Sequence, residues 1–279
     1  MQRRTALVSL VLLAMAGLPM ALGAEFTITE NATDADGVRH FTINSPYQSQ
    51  PTTLRILAPA DAGSAEQRRL LFVLPVEAKE EHHYGDGLTE IRKLDLHNKH
   101  KLVAVAPSFA QLPWYADHPG DAGIRQESYM LKVVLPAVDQ LYPARTARRL
   151  LLGFSKSGWG AFGLILRHPE LFDAASAWDA PLMKAKPDQF GMGDIFGTQE
   201  NFEAYQITRL LKEQSKPFQK TKRLALSGYE NFRPQVQQAH ALMESLGILH
   251  DYADGPLRKH MWGSGWVEES VKYLDAMAR

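Results

Sequence analysis

The run Leu150-Leu151-Leu152-Gly153-Phe154-Ser155-Lys156-Ser157-Gly158-Trp159-Gly160-Ala161 leads an apolar strand pattern into a turn of small residues and then into a helical pattern. A serine at such a strand-to-helix turn has its hydroxyl lifted above the edge of a sheet. The turn closes only if the residues two before and two after the serine are small. Gly153 fits the first place, and Ser157 stands where the pattern expects glycine. Serine is small enough to preserve the packing, and Gly158 and Gly160 keep the turn open. Were Ser157 the reactive hydroxyl, Trp159 would occupy a flanking place that it is too large to fill. Ser155 is therefore the candidate nucleophile, and its chemistry would be attack on an acyl carbon.

A serine hydroxyl needs a base, and the base needs an acid to orient it. His260 lies after the last predicted strand and before the last predicted helix, where a loop could bring it back over Ser155. His240 falls on a predicted helix and His250 inside the last strand, so both read as packing residues. His97 and His100 read as a helix end, since no carboxylate follows at a metal-binding spacing. Two carboxylates compete for the acid. Asp179 ends the strand pattern Ala174–Trp178, and Glu230 follows the strand Leu224–Ser227 in the turn Gly228-Tyr229-Glu230-Asn231. Asn231 holds the commonest offset for this acid but cannot carry the charge. Asp179 ranks slightly ahead of Glu230.

Acyl transfer also develops an oxyanion that wants fixed N–H donors. The backbone N–H of Lys156 is one candidate. The other comes from the loop Leu74-Pro75-Val76-Glu77; Pro75 has no N–H, which leaves Val76 or Glu77. The stretch Ser108–His118, with Trp114 at its centre, mixes aromatic and polar residues suited to a binding wall. The Gly-, Pro- and Met-rich segment Pro181–Thr198 reads either as a cap over the site or as an ordinary surface excursion.

These residues must be positioned by a sheet. Short apolar runs at Arg69–Leu74, Leu102–Ala106, Leu150–Phe154, Ala174–Trp178, Leu224–Ser227 and Ile248–Tyr252 read as strands buried on both faces. Phe26–Thr29, His40–Asn44 and Thr53–Leu57 precede them, with an Asp36-Gly37 turn. Helical spacing marks Leu88–Asn98, Arg125–Leu141, Trp159–Arg167, Asn201–Glu213, Pro234–Leu246 and Val267–Ala278. Early strand pairs followed by strand–helix alternation predict an α/β fold with a mixed, mainly parallel central sheet and helices on both faces.

The 279 residues suffice for one such domain. Lys plus Arg and Asp plus Glu are equal at 31 each, so nothing in the charge balance points to nucleic acid. There is no cysteine, which excludes a thiol nucleophile, a Cys-based metal site and a lipid-bearing N-terminal cysteine. Met1-Gln2-Arg3-Arg4, the uncharged stretch Ala6–Leu22 and the small residues before Glu25 form the three parts of a secretory signal. The reading is residues 1–24 as a signal peptide, 25–279 as a single domain, and a periplasmic or secreted product without stable membrane insertion after cleavage. The competing reading of this stretch is a single membrane anchor.

Taken together, the Leu-Leu-Gly-Phe-Ser155-Lys-Ser-Gly-Trp-Gly turn, the Leu-Pro-Val loop and His260-Met-Trp resemble the putative esterase branch of the α/β-hydrolase fold. That branch includes esterase D-like enzymes, feruloyl and acetyl xylan esterases and polyhydroxyalkanoate depolymerases. The resemblance runs in element order along nearly the whole mature chain. It implies hydrolysis of a small-molecule or polymer-linked ester through an acyl-enzyme, with no cofactor and no metal. Two other functions share the scaffold: a ligand-binding protein without catalysis, and an acyltransferase.

Overall fold

The computed structural model describes residues 20–22, 26–61, 67–144, 146–228 and 230–278. Its ten strands are β1 (Met20–Leu22), β2 (Phe26–Thr33), β3 (Arg39–Asn44), β4 (Thr52–Leu57), β5 (Gln67–Val73), β6 (Leu102–Pro107), β7 (Thr146–Phe154), β8 (Ala174–Trp178), β9 (Leu224–Ser227) and β10 (His250–Ala253). All belong to one sheet in the order β1-β2-β3-β4-β6-β5-β7-β8-β9-β10. Pairings from β1 through β4 to β6 are antiparallel, and those from β6 across to β10 are parallel. This is the mixed, mainly parallel sheet that the strand patterns predict. Most of the expected signal segment lies outside the described residues, although Met20–Leu22 pairs with β2 at the edge.

Alternation along the strands explains why helices cover both faces. Leu70, Phe72, Val103, Val105 and Leu151 join one core; Leu71, Val73, Leu102, Ala104, Leu150 and Leu152 join the other. A two-residue period with apolar side chains on both faces requires a cover on each. On the second face lie α1 (Gly87–Lys93), α2 (Leu96–Lys99) and, from the end of the chain, Val267–Met277. On the first face lie α3 (Gln126–Tyr129), the π turn Met130–Val134, α4 (Leu135–Leu141) and α5 (Ser155–Arg167). They are followed by α6 (Met192–Phe196), α7 (Gln199–Tyr205), α8 (Ile207–Glu213) and α9 (Arg233–Ser245); Val267–Met277 is α10.

Several boundaries differ from the sequence pattern for local reasons. The helix expected over Leu88–Asn98 is broken at Asp95, which takes the left-handed conformation at φ 54°. The one expected over Asn201–Glu213 breaks at Gln206, whose backbone is extended. The final strand begins at His250 and not at Ile248, because the Ile248 N–H closes on the Met243 carbonyl at the end of α9. Helix α5 begins at Ser155 itself, four residues before the expected Trp159. Among the described residues no helix is long and apolar enough to cross a membrane.

Register sets the level of the site. Phe154 of β7 pairs with Trp178 of β8, and Trp178 pairs with Ser227 of β9. Three neighbouring strands thus stop at one height, and Ser155, Asp179 and Gly228 leave the sheet side by side at its carboxyl edge. Ligands of open α/β sheets bind at that edge.

Candidate active site

All three of these exit residues have positive φ: Ser155 at 50°, Asp179 at 41° and Gly228 at 123°. For serine and aspartate this is a sparsely populated region that costs energy, and such residues cluster at functional sites. The turn around Ser155 is held by two devices. A Cβ on Gly153 would lie 2.2 Å from the Ser157 carbonyl oxygen, so only glycine fits there. The Ser157 hydroxyl accepts from the Phe154 N–H and donates to the Phe154 carbonyl, both at 3.0 Å. That is why serine serves where the pattern expects glycine: its side chain ties the turn shut. The close helix–strand approach falls one residue later, where a Cβ on Gly158 would lie 2.7 Å from that of Ala180. Gly160 leaves room for the Tyr115 ring, which a Cβ would meet at 2.0 Å.

The two candidate acids separate clearly. Asp179 is fully buried and accepts from His260 Nδ1 at 2.7 Å. It also accepts from the backbone N–H groups of Asn231 at 3.0 Å and Phe232 at 2.8 Å. Glu230 reaches only 4.0 Å from the same nitrogen, and its side chain is 32% exposed. Because a carboxylate only accepts, Nδ1 carries the hydrogen, and in the neutral ring it is Nε2 that presents the lone pair. The ring is set among aromatic neighbours: Phe154 at 5.0 Å between centroids, Tyr84 and Phe232 each at 5.8 Å, and Trp178 at 6.2 Å. These neighbours pack around the ring and limit its orientation.

Ser155 and His260 line one open cavity of about 380 Å³, together with Lys156, Trp114 and Asn231. Pro181, Phe190, Tyr84 and Phe232 complete its wall. Pro181–Thr198 therefore contributes to the cover of the site, and the Trp114 indole N–H donates to the Phe190 carbonyl at 3.0 Å to hold the two walls together. Lys156 is half-buried. Burial pushes its ammonium pKa down, and the Glu77 charge partly offsets this. Val76 and Glu77 are buried and line a second cavity, which shares no lining residue with that of Ser155. Among the described residues neither of their N–H groups has an acceptor. The loop is pinned by the Tyr115 hydroxyl, which donates to the Pro75 carbonyl at 2.7 Å.

His240 and His250 pair with each other at 2.8 Å, His240 stacking on Tyr252, so neither serves Ser155. Among the described residues, three groups bring possible cation ligands within 4.8 Å of one another: Asp179–Glu230–His260, Glu77–Glu81–His83 and His240–Glu244–His250. In the first, the Asp179 oxygens already accept three N–H bonds. Sequence reasoning did not single out Tyr84, Phe190 or Phe232. The available signal for Phe232 was its place directly after the Gly228 turn, beside the acid.

The family whose description is "Putative esterase" matches residues 111–264, more than half of the chain and the whole stretch from Trp114 to His260. The chain belongs to this family, and with it to the carboxylic-ester hydrolases of α/β-hydrolase fold. Among solved structures it resembles an S-formylglutathione hydrolase from Agrobacterium tumefaciens, at 15% identity and a TM-score of 0.70, covering 90% of this chain and 99% of that one. It also resembles a ferulic acid esterase, at 15% identity and TM-score 0.67, covering 87% and 97%. A third is FphF, a fluorophosphonate-binding serine hydrolase of Staphylococcus aureus, at 18% identity and TM-score 0.67, covering 87% and 98%. At such identities the likeness is one of fold. No curated protein matches the chain.

Proposed function

We propose that the protein hydrolyses carboxylic esters with Ser155 as nucleophile, His260 as base and Asp179 as the orienting acid. The observation that carries this reading is the buried Asp179 carboxylate, 2.7 Å from His260 Nδ1, with His260 and Ser155 on one cavity. Ser155 Oγ attacks the ester carbonyl carbon while Nε2 of His260 takes its proton. The N–H of Lys156, with that of Val76 or Glu77, holds the resulting oxyanion. Collapse breaks the bond to the alcohol, which leaves with the proton from His260. Water then attacks the acyl-enzyme, giving its proton to His260, and the acid departs as Ser155 is reprotonated. The Asp179 carboxylate orients the ring and stabilises the imidazolium in both halves.

The test is covalent labelling by a fluorophosphonate and turnover of short p-nitrophenyl esters. Both are expected in the wild type and absent from folded Ser155→Ala. Unlabelled wild-type protein would favour a non-catalytic binding role. Transfer of the acyl group to a sugar or lipid uses the same three residues, and product analysis with such acceptors present separates it from hydrolysis.

We also propose export to the periplasm or medium, resting on the basic, apolar and small-residue order of residues 1–24. Cleavage after Ala24 would remove β1 and leave β2 at the sheet edge. Mass spectrometry of the exported protein should find Glu25 at its N-terminus; a product beginning at Met1 in the cytoplasm would overturn the proposal.

A further inference from the structure

Beside the nucleophile stands a cation with no partner assigned. Lys156 follows Ser155 directly, and its residue lines the same cavity. Its Nζ lies 5.9 Å from the centre of the Tyr84 ring, and Tyr84 lines that cavity too. Among the described residues no carboxylate comes within 4 Å of this ammonium. Glu77, the acid whose charge it feels, is engaged elsewhere: its carboxylate accepts from His83 Nδ1 at 2.6 Å and from the Tyr84 N–H at 3.2 Å.

This arrangement is unusual in energetic terms. A half-buried ammonium loses hydration and normally regains it through an ion pair. Here the Tyr84 ring, at typically on the order of 1 kcal/mol, and the Glu77 charge, already committed to His83, compensate only in part. The charge is held where a ligand can claim it. The rest of the wall suits a flat or apolar body with one polar group, since Trp114, Phe190 and Phe232 supply aromatic surface and Asn231 an amide.

We propose that the Lys156 side chain is an anion subsite of this pocket, and that the preferred substrates are esters bearing a carboxylate or similar anion close to the scissile bond. This deepens the esterase reading and rests on it. The subsite distinguishes substrates by a charge-assisted contact, which a neutral ester of the same shape cannot make.

The test compares p-nitrophenyl butyrate with mono-p-nitrophenyl succinate, which replaces the terminal methyl by a carboxylate at equal chain length. The expected result is that Lys156→Met lowers the succinate-to-butyrate ratio of kcat/KM by roughly 10-fold, while Lys156→Arg retains most of it. The loss should fall on KM for the succinate ester. A ratio unchanged by Lys156→Met overturns the proposal. A second measurement keeps the two readings apart: labelling of Ser155 by fluorophosphonates ending in a carboxylate or a methyl. Faster labelling by the carboxylate probe, abolished by Lys156→Met, supports the subsite. Equal rates refute the subsite and leave the esterase reading standing. No labelling of Ser155 by either probe refutes both.

Discussion

Two strand ends in this protein solve the same geometric problem by different routes. After β7, Ser155 is forced to φ 50°; after the neighbouring β8, Asp179 is forced to φ 41°. Each depends on a glycine whose Cβ would strike backbone, at 2.2 Å for Gly153 and 2.4 Å for Gly228. At the serine, everything that holds the turn lies within a few residues: Gly153, the Ser157 hydroxyl and Gly158. At the aspartate, nothing local does. The glycine that makes room, the two N–H donors and the histidine all come from distant segments, after β9 and after β10. A locally specified nucleophile and a tertiary-specified acid thus stand side by side on one sheet edge.

The sharpest way to break this comparison is catalytic. Ser155→Ala and Asp179→Asn should each lower kcat by on the order of 10³-fold or more, since the first removes the attacking group and the second the charge that supports an imidazolium. Glu230→Gln should stay within about threefold, because a partly exposed carboxylate at 4.0 Å interacts weakly. Steady-state ester kinetics on the three folded variants decides it. A Glu230 effect as large as that of Asp179 would reverse the assignment of the acid.

The same contrast explains what was legible in the sequence. Ser155 was readable because an apolar run, a small-residue turn and a helical pattern are contiguous. His260 was readable because few segments follow the last strand. The choice between Asp179 and Glu230 stayed open because both sit at strand ends, and the strand register that aligns Trp178 with Ser227 cannot be read from either segment alone. The fold class followed from two-sided apolar strands, which carry their own signal. Helix breaks at Asp95 and Gln206 did not, because apolar spacing continues through them while the backbone turns away. The aromatic setting of His260 was hidden for the same reason as the acid: Tyr84, Phe154, Trp178 and Phe232 meet it only through the sheet and its loops.

A stability measurement sharpens the comparison next. Gly153→Ala and Gly228→Ala should each destabilise by about 3 kcal/mol or more in urea unfolding, as both Cβ atoms meet immovable backbone. Gly228→Ala adds the strain of φ 123° and displaces Asp179, so its surviving folded fraction should also lose His260 alignment and ester turnover. If Gly228→Ala were as stable and active as wild type, the dependence of Asp179 on the loop after β9 would be wrong.

Glu127 extends the long-range pattern from chemistry to stability. Burial alone would raise its pKa, but hydrogen bonds from His168 and Arg167 outweigh this and hold it at about 2. Its carboxylate ties α3 to the end of α5 through Arg167 Nε at 2.6 Å and His168 at 2.8 Å, and to α7 through the Tyr205 hydroxyl at 2.9 Å. A folded pKa below the ordinary glutamate value of 4.5 means the stabilisation is complete above that value and lost as pH falls toward 2. Wild-type protein should therefore lose about 2–3 kcal/mol from this group between roughly pH 5 and pH 2. Glu127→Gln should be less stable at neutral pH and show a shallower acid slope. Equal slopes in acid titrations of urea stability would remove Glu127 from this role.

The smallest effect belongs to Ser157, and it tests the local half of the comparison most directly. Its hydroxyl is buried and committed to both polar groups of the Phe154 backbone. Ser157→Ala leaves the buried Phe154 N–H without that acceptor, a loss of about 1–2 kcal/mol. Ser155 should nevertheless remain reactive, since Gly153 and Gly158 still shape the turn. The expected outcome is a modest fall in unfolding free energy, ester turnover within a few-fold of wild type and intact fluorophosphonate labelling. Abolished labelling in stable Ser157→Ala protein would mean that the hydroxyl two residues along, and not Ser155, does the chemistry. Intact labelling with lowered stability would instead fix Ser157 as the tie that lets a serine replace the expected glycine.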